Sequence, residues 1–215
     1  MALSDPKDRK SLSYRLRSKR DHFLREFLLR NGRSIIDLGG TSDYWRRVGL
    51  DFLKDNGFTV TIVNIRETEL GEGPFRCMVG NACAIDAADN SFDIVHSNSV
   101  IEHVGGWTQV SDFAREVRRL APAYYVQTPN WWFPIDPHFW KVPCFHWMPE
   151  AVRAELLHRF PVATVGRIAS REIARRVLAG TRPLSKRQMR ALFTDAQLRP
   201  EKFAGLNKSW IATRG

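Results

Sequence analysis

Short apolar runs alternate with helix-length amphipathic segments along this chain, and that rhythm leaves few architectures open. Ser34-Ile35-Ile36-Asp37-Leu38 runs into Gly39-Gly40, and Phe58 to Ile65 is dense in β-branched residues. Phe75 to Val79 empties into Gly80-Asn81-Ala82, and Ser91 to Ser97 holds a fourth run. Tyr124-Tyr125-Val126-Gln127 is a fifth, stopped by Thr128-Pro129-Asn130. Near-continuous apolar runs of this length are how strands buried on both faces read. Between them, residues 44–56 and 107–120 carry helical spacing, the latter through Val110, Phe113, Val117 and Leu120. Strands alternating with helices predict an α/β fold with a doubly wound, mostly parallel sheet.

The flanks differ from this centre. Residues 12–30 predict an amphipathic helix, with Leu12, Leu16, Phe23, Phe27 and Leu28 at helical steps and Asn31-Gly32 as its stop. Residues 131–149 hold four of the seven Trp, three Phe, two His and four Pro. Prolines at that density forbid a regular helix or a central strand. Residues 150–178 read as helical and basic. Phe203-Ala204-Gly205-Leu206 and Ser209 to Thr213, separated by Asn207-Lys208, read as a closing hairpin. The expected organisation is one domain: a helical cap (1–33), a core (34–130), an aromatic and basic insertion or lid (131–190) and the hairpin (191–215).

Charge follows the same division. The net charge of +10 is distributed as +6 over residues 1–33, −5 over 34–149, +7 over 150–190 and +2 over 191–215. Basic flanks of this kind mark either a surface for phosphates, nucleic acid or anionic lipid, or solvated helix faces. No run approaches the ~18 apolar residues of a spanning helix, and Asp5, Lys7, Asp8, Arg9 and Lys10 are unlike a secretory signal. Cys77, Cys83 and Cys144 are too few and too scattered for a disulfide framework or a zinc site. A reducing cytoplasmic setting is expected, with membrane-peripheral contact through the basic helices as an extension, and no metal.

In an open α/β sheet, ligands bind beyond the carboxyl ends of the strands, where strand order reverses. Asp37, Gly39, Gly40, Asn64, Asn81, Ala82, Ser97 and Asn98 all fall there, followed by Glu102-His103 and by Asn130. A dinucleotide site needs G-x-G-x-x-G opening a helix, which DLGGTSDYW does not supply. SIIDLGGTS, VTIVN, GNACAID and NSFDIVHSNSVIEHV together resemble the class I S-adenosylmethionine-dependent methyltransferases, in their small-molecule, type 11-like branch. The resemblance covers roughly residues 34–130 and implies a seven-stranded Rossmann-like sheet with a C-terminal antiparallel hairpin. It also implies S-adenosylmethionine as cofactor. On it, Gly39 and Gly40 admit the methionine part, and Asp37 accepts from the ammonium group. Asn64 bonds the ribose hydroxyls, Asn81 the adenine amino group and Ala82 the ring edge, with Ser97 and Asn98 completing the site. Asn64 and Asn81 stand where acids are commoner, and Thr41 and Asp43 where glycines are, which weakens the contacts.

The implied reaction is methyl transfer to an oxygen or nitrogen of a small or amphipathic acceptor. Trp131, Trp132 and Phe133, with Asn130, are the expected acceptor wall, suited to an aromatic, sugar or lipid-linked molecule. His103 and His138 are the candidate general bases, since imidazole takes up a proton near neutral pH. His96 reads as a structural strand residue, Asp93 as a positioner of strand four, and Arg115, Arg118 and Arg119 as a solvated face. Two other readings remain open: an RNA methyltransferase, for which no Asn-Pro-Pro-Tyr motif is present, and a non-catalytic scaffold.

Overall fold

A computed structural model describes residues 12–162 and 166–215. The strands are β1 (Ser34–Leu38), β2 (Thr59–Asn64), β3 (Phe75–Val79), β4 (Ile94–Asn98), β5 (Ala123–Pro129), β6 (Gln197–Phe203) and β7 (Leu206–Arg214). They form one sheet in the order β3-β2-β1-β4-β5-β7-β6. β1 pairs in parallel with β2 and β4, and β2 in parallel with β3. The chain starts at the centre, works to one edge and then returns to the other side of β1. Strand order therefore reverses between β1 and β4. The fold is α/β with a mostly parallel seven-stranded sheet and antiparallel C-terminal strands, as expected.

The helices are α1 (Leu12–Asn31), α2 (Ser42–Asp55), α3 (Trp107–Leu120), α4 (Glu150–Arg159), α5 (Arg171–Ala179) and α6 (Lys186–Leu192). In α1, Leu24, Phe27 and Leu28 are buried, while Leu12 and Leu16 lie outside the residues whose side chains are described. Asp5 to Lys10 lie outside the described residues too. Among the described residues no helix is long and apolar enough to cross a membrane.

The chain divides into two compact units. One comprises Met1–Ser97, Glu116–Val126 and Thr213–Gly215, and the other Asn98–Arg115 and Gln127–Ala212. In the first, Ile35, Ile36, Leu38, Val60, Ile62, Ile94 and Val95 are buried along the strands, with Trp45 and Leu53 from α2. Asp93 accepts from the backbone N–H of Arg33 and Ser34, so it positions the start of β1 rather than its own strand. Arg119 is not a solvated residue: its guanidinium donates to Glu116, Asp89 and the carbonyls of Ile85 and Ala87, pinning that loop.

The second unit has its own small core, in which Phe139 and Phe145 meet Ala154, Leu157, Val162, Ile168, Ala174 and Leu178. Residues 131–149 contain one 3₁₀ turn, Phe145–Trp147, and are otherwise irregular, as the prolines require. The expected helix over 150–178 is interrupted between Arg159 and Arg171, a stretch holding Pro161 and Gly166. The hairpin turn also differs from expectation. It lies at Ala204-Gly205, with φ of 48° and 82°, and Asn207-Lys208 continue β7. Two successive left-handed residues make the tight turn whose twist matches paired strands.

Candidate active site

At the carboxyl end of β1, Asp37 is fully buried. One of its oxygens accepts from His96 Nδ1 at 2.7 Å and the other from Trp45 Nε1 at 2.7 Å. His96 Nε2 meets the Tyr44 hydroxyl at 3.3 Å, and burial holds that hydroxyl's pKa well above its ordinary value. The His96 ring also stacks on Tyr125, with centroids 5.6 Å apart. His96 is thus structural, as expected, and Asp37 has protein donors on both oxygens. Gly40 serves this network: a Cβ there would lie 1.6 Å from the Asp37 carboxylate. Its missing side chain makes room for Asp37. Gly39 has φ 74° and donates to Val63 O at 2.8 Å, while Thr41 caps α2 by accepting from Tyr44 N.

Asn64, at the end of β2, donates through Nδ2 to Gly40 O at 2.9 Å. That bond explains an amide where an acid is commoner, because a carboxylate would place oxygen against oxygen. Ser97 is buried and donates to Leu38 O at 3.0 Å. Asn81 is exposed, and its Oδ1, the acceptor expected for the adenine amino group, accepts from Cys83 N at 3.0 Å within its own turn. Ala82, half-buried, lies in the same turn. In the second unit, Asn98 closes β4 with Oδ1 buried and unpartnered.

The second unit gathers the acid–base residues. His103 ends the 3₁₀ turn Ile101–His103, and its Nδ1 faces Gly180 O at 3.0 Å. Its Nε2 lies 2.9 Å from His138 Nε2, the rings being nearly perpendicular at 86°. His138 Nδ1 faces Asp136 Oδ1 at 2.8 Å, and the same oxygen accepts from the His138 backbone N–H. Glu102 is buried, accepts from the Thr128 hydroxyl at 2.9 Å through Oε2, and has no partner on Oε1. Burial pushes its pKa up to about 7, partly offset by hydrogen bonds, and desolvation pulls His103 below its ordinary value.

Sequence reasoning named both histidines but missed Asp136 as the group holding His138. The signal was present in Asp136-Pro137-His138, since a turn lets an aspartate bond the backbone two residues on. Asn130 is occupied internally. Its Oδ1 accepts from Trp210 Nε1 at 3.1 Å and from Trp132 N at 3.3 Å, and its Nδ2 donates to Asn207 O at 2.8 Å. Phe133 is buried and packs edge-on against Phe203, whereas Trp132 is 67% exposed. His146 donates to Trp131 O at 2.8 Å. Trp131 and Trp132 wall a cavity of about 860 Å³ whose rim carries Arg153, Arg182, Lys186, Arg187 and Arg190.

A methyltransferase-domain family model matches residues 46–122, which run from α2 through β4 to the end of α3. That match covers about a third of the chain and is to a methyltransferase domain. The chain also shares its fold with a protein of Pyrococcus horikoshii OT3, at 19% identity and a TM-score of 0.57 over 98% of this chain and 95% of that one. A SAM-dependent methyltransferase of Methanosarcina mazei gives 17% identity and 0.50, covering 89% and 95%. The Burkholderia thailandensis 1,6-didemethyltoxoflavin-N1-methyltransferase, solved with 1,6-didemethyltoxoflavin and S-adenosylhomocysteine, gives 14% and 0.53, covering 93% and 77%. A search of curated proteins found no match. The methyltransferase-domain match marks the chain as an enzyme, and S-adenosylmethionine is the cofactor that the Methanosarcina mazei neighbour's name carries.

Toward that cofactor's ribose, Asn64 would offer Oδ1 as acceptor, its Nδ2 being spent on Gly40 O. Asp37, expected to accept from the ammonium group, has both oxygens taken by Trp45 and His96.

Proposed function

We propose that this methyltransferase modifies an oxygen or nitrogen of a small, ring-bearing acceptor that carries an anionic group such as a phosphate. The carrying observation is the cavity of the second unit. Its volume of about 860 Å³ falls within the ~300–1,000 Å³ of small-molecule sites. Trp131 and Trp132 offer aromatic faces on which a planar or sugar ring stacks. Among the described residues, none of the five cations on its rim is bonded to a carboxylate. Arg153 is desolvated and repelled by Arg182, with Glu150 and Asp136 giving partial relief. Five cations with Glu150 as the one carboxylate in the cavity lining leave a positive excess that an anion relieves, and guanidinium suits phosphate oxygens two at a time.

Bound to this chain, S-adenosylmethionine would supply a methyl group on a sulfonium. The chain's own part is then alignment and exclusion of water: tryptophan faces orient the acceptor ring, and the cations hold its anionic end. A cavity of this size admits one small molecule rather than a polynucleotide track, which favours a small acceptor over RNA. The test pairs radiolabelled S-adenosylmethionine with ring acceptors in phosphorylated and dephosphorylated form. The phosphorylated member should react with kcat/KM at least tenfold higher, and Arg153→Met should erase that preference. Equal turnover of both members, or methylation of RNA alone, would overturn the reading.

A further inference from the structure

We infer that Glu102, His103 and His138 form a binding site for one divalent transition-metal ion. A Glu102 carboxylate oxygen and one ring nitrogen from each histidine lie within 4.8 Å of one another. What turns this proximity into a site is the way each group is tied on its far side. His103 Nδ1 faces a carbonyl oxygen, Gly180 O, so that nitrogen carries the hydrogen. His138 Nδ1 faces the Asp136 carboxylate, so it carries its hydrogen as well. Both Nε2 atoms then present lone pairs, and they do so to each other at 2.9 Å. Two bare lone pairs at that separation repel unless a cation, a proton or a metal ion, stands between them.

Glu102 adds the third acceptor. It is 1% exposed, its Oε2 takes the Thr128 hydroxyl, and its Oε1 is buried with no donor. A carboxylate oxygen left so beside two nitrogen lone pairs costs free energy, which an ion of opposite charge recovers. The outer partners are those that orient metal ligands: a carboxylate and a carbonyl behind the imidazoles, and a hydroxyl behind the carboxylate. Two imidazoles and one carboxylate, with no thiolate, suit Zn²⁺, Fe²⁺, Co²⁺ or Mn²⁺. Metal–nitrogen bonds of about 2.0–2.1 Å at a tetrahedral angle need the two Nε2 atoms roughly 3.3–3.4 Å apart. The rings must therefore open by only a few tenths of an ångström. Three protein ligands leave a coordination position for water or an acceptor oxygen. The inference does not depend on the identity of the acceptor.

The test titrates chelator-stripped full-length protein with Zn²⁺ by calorimetry and with Co²⁺ by its visible absorption. Wild type should bind one ion per chain, with a Co²⁺ spectrum of nitrogen–oxygen ligation. His138→Ala and Glu102→Gln should each weaken binding at least tenfold, while His22→Ala, on the exposed face of α1, should leave it unchanged. Asp136→Asn, which loosens His138 without removing a ligand, should weaken it by ~10–100-fold. Calorimetric S-adenosylmethionine binding, unchanged in these variants, separates loss of the site from loss of fold. If His138→Ala does not fold, Glu102→Gln carries the test alone. No stoichiometric binding by wild type, or binding unchanged in Glu102→Gln, would overturn the inference and leave a proton between the two rings.

Discussion

Asp37→Ala should cost this protein a large part of its stability. The carboxylate accepts from Trp45 Nε1 and His96 Nδ1, each at 2.7 Å, in surroundings where Asp37, Trp45 and His96 are all fully buried. Removing it leaves two buried N–H groups without acceptors, at about 1–3 kcal/mol each. Breaking a buried pair of this kind costs about 3–5 kcal/mol in all. Domains are typically stable by ~5–15 kcal/mol, so the variant should fold but sit near the margin. At roughly 2–4 °C per kcal/mol for a chain of this size, Tm should fall by about 6–20 °C. Urea unfolding followed by tryptophan fluorescence measures the loss, and an unchanged slope would confirm that the variant unfolds as the wild type does. Asp37→Asn, which keeps one acceptor oxygen, should fall between the two. A double-mutant cycle with Trp45→Phe should give a coupling of ~0.5–3 kcal/mol. A loss below ~1 kcal/mol accompanied by abolished S-adenosylmethionine binding would refute the argument and make the ligand the carboxylate's main partner.

Gly40→Ala should destabilise comparably, because its Cβ would lie 1.6 Å from the Asp37 carboxylate; a melting temperature within 2 °C of wild type, on the order of 0.5–1 kcal/mol, would contradict this. Asn64→Asp should weaken calorimetric S-adenosylmethionine binding roughly tenfold, since losing the bond to Gly40 O costs about 1–2 kcal/mol and sets two oxygens against each other. Equal or tighter binding would show that ribose contacts outweigh the loop. Trp132→Ala should leave stability within ~0.5 kcal/mol, the ring being 67% exposed, yet raise the acceptor KM by roughly threefold to tenfold. An unchanged KM would remove Trp132 from the acceptor wall.

The sequence by itself determined the sheet. Strands buried inside a parallel sheet are apolar on both faces, so β1, β2 and β4 are visible as apolar runs, whereas β3, at the sheet edge and largely exposed, carries Arg76 within its run; the turn residues after them mark their carboxyl ends. It also determined that 131–149 would be irregular, because proline removes donors whatever surrounds it. What it left undecided is which polar side chains face a ligand and which face each other. Asp37 and Asn130 stand at strand ends in positions that a ligand would use, yet their partners are Trp45, His96, Trp210 and Asn207. His103 and His138 are 35 residues apart and come within 2.9 Å, with Gly180 O and Asp136 holding each ring from behind. Local periodicity reports the face an element buries. A hydrogen-bond partner far along the chain is chosen by the closing of loops and the packing of elements, and only the tertiary structure decides it.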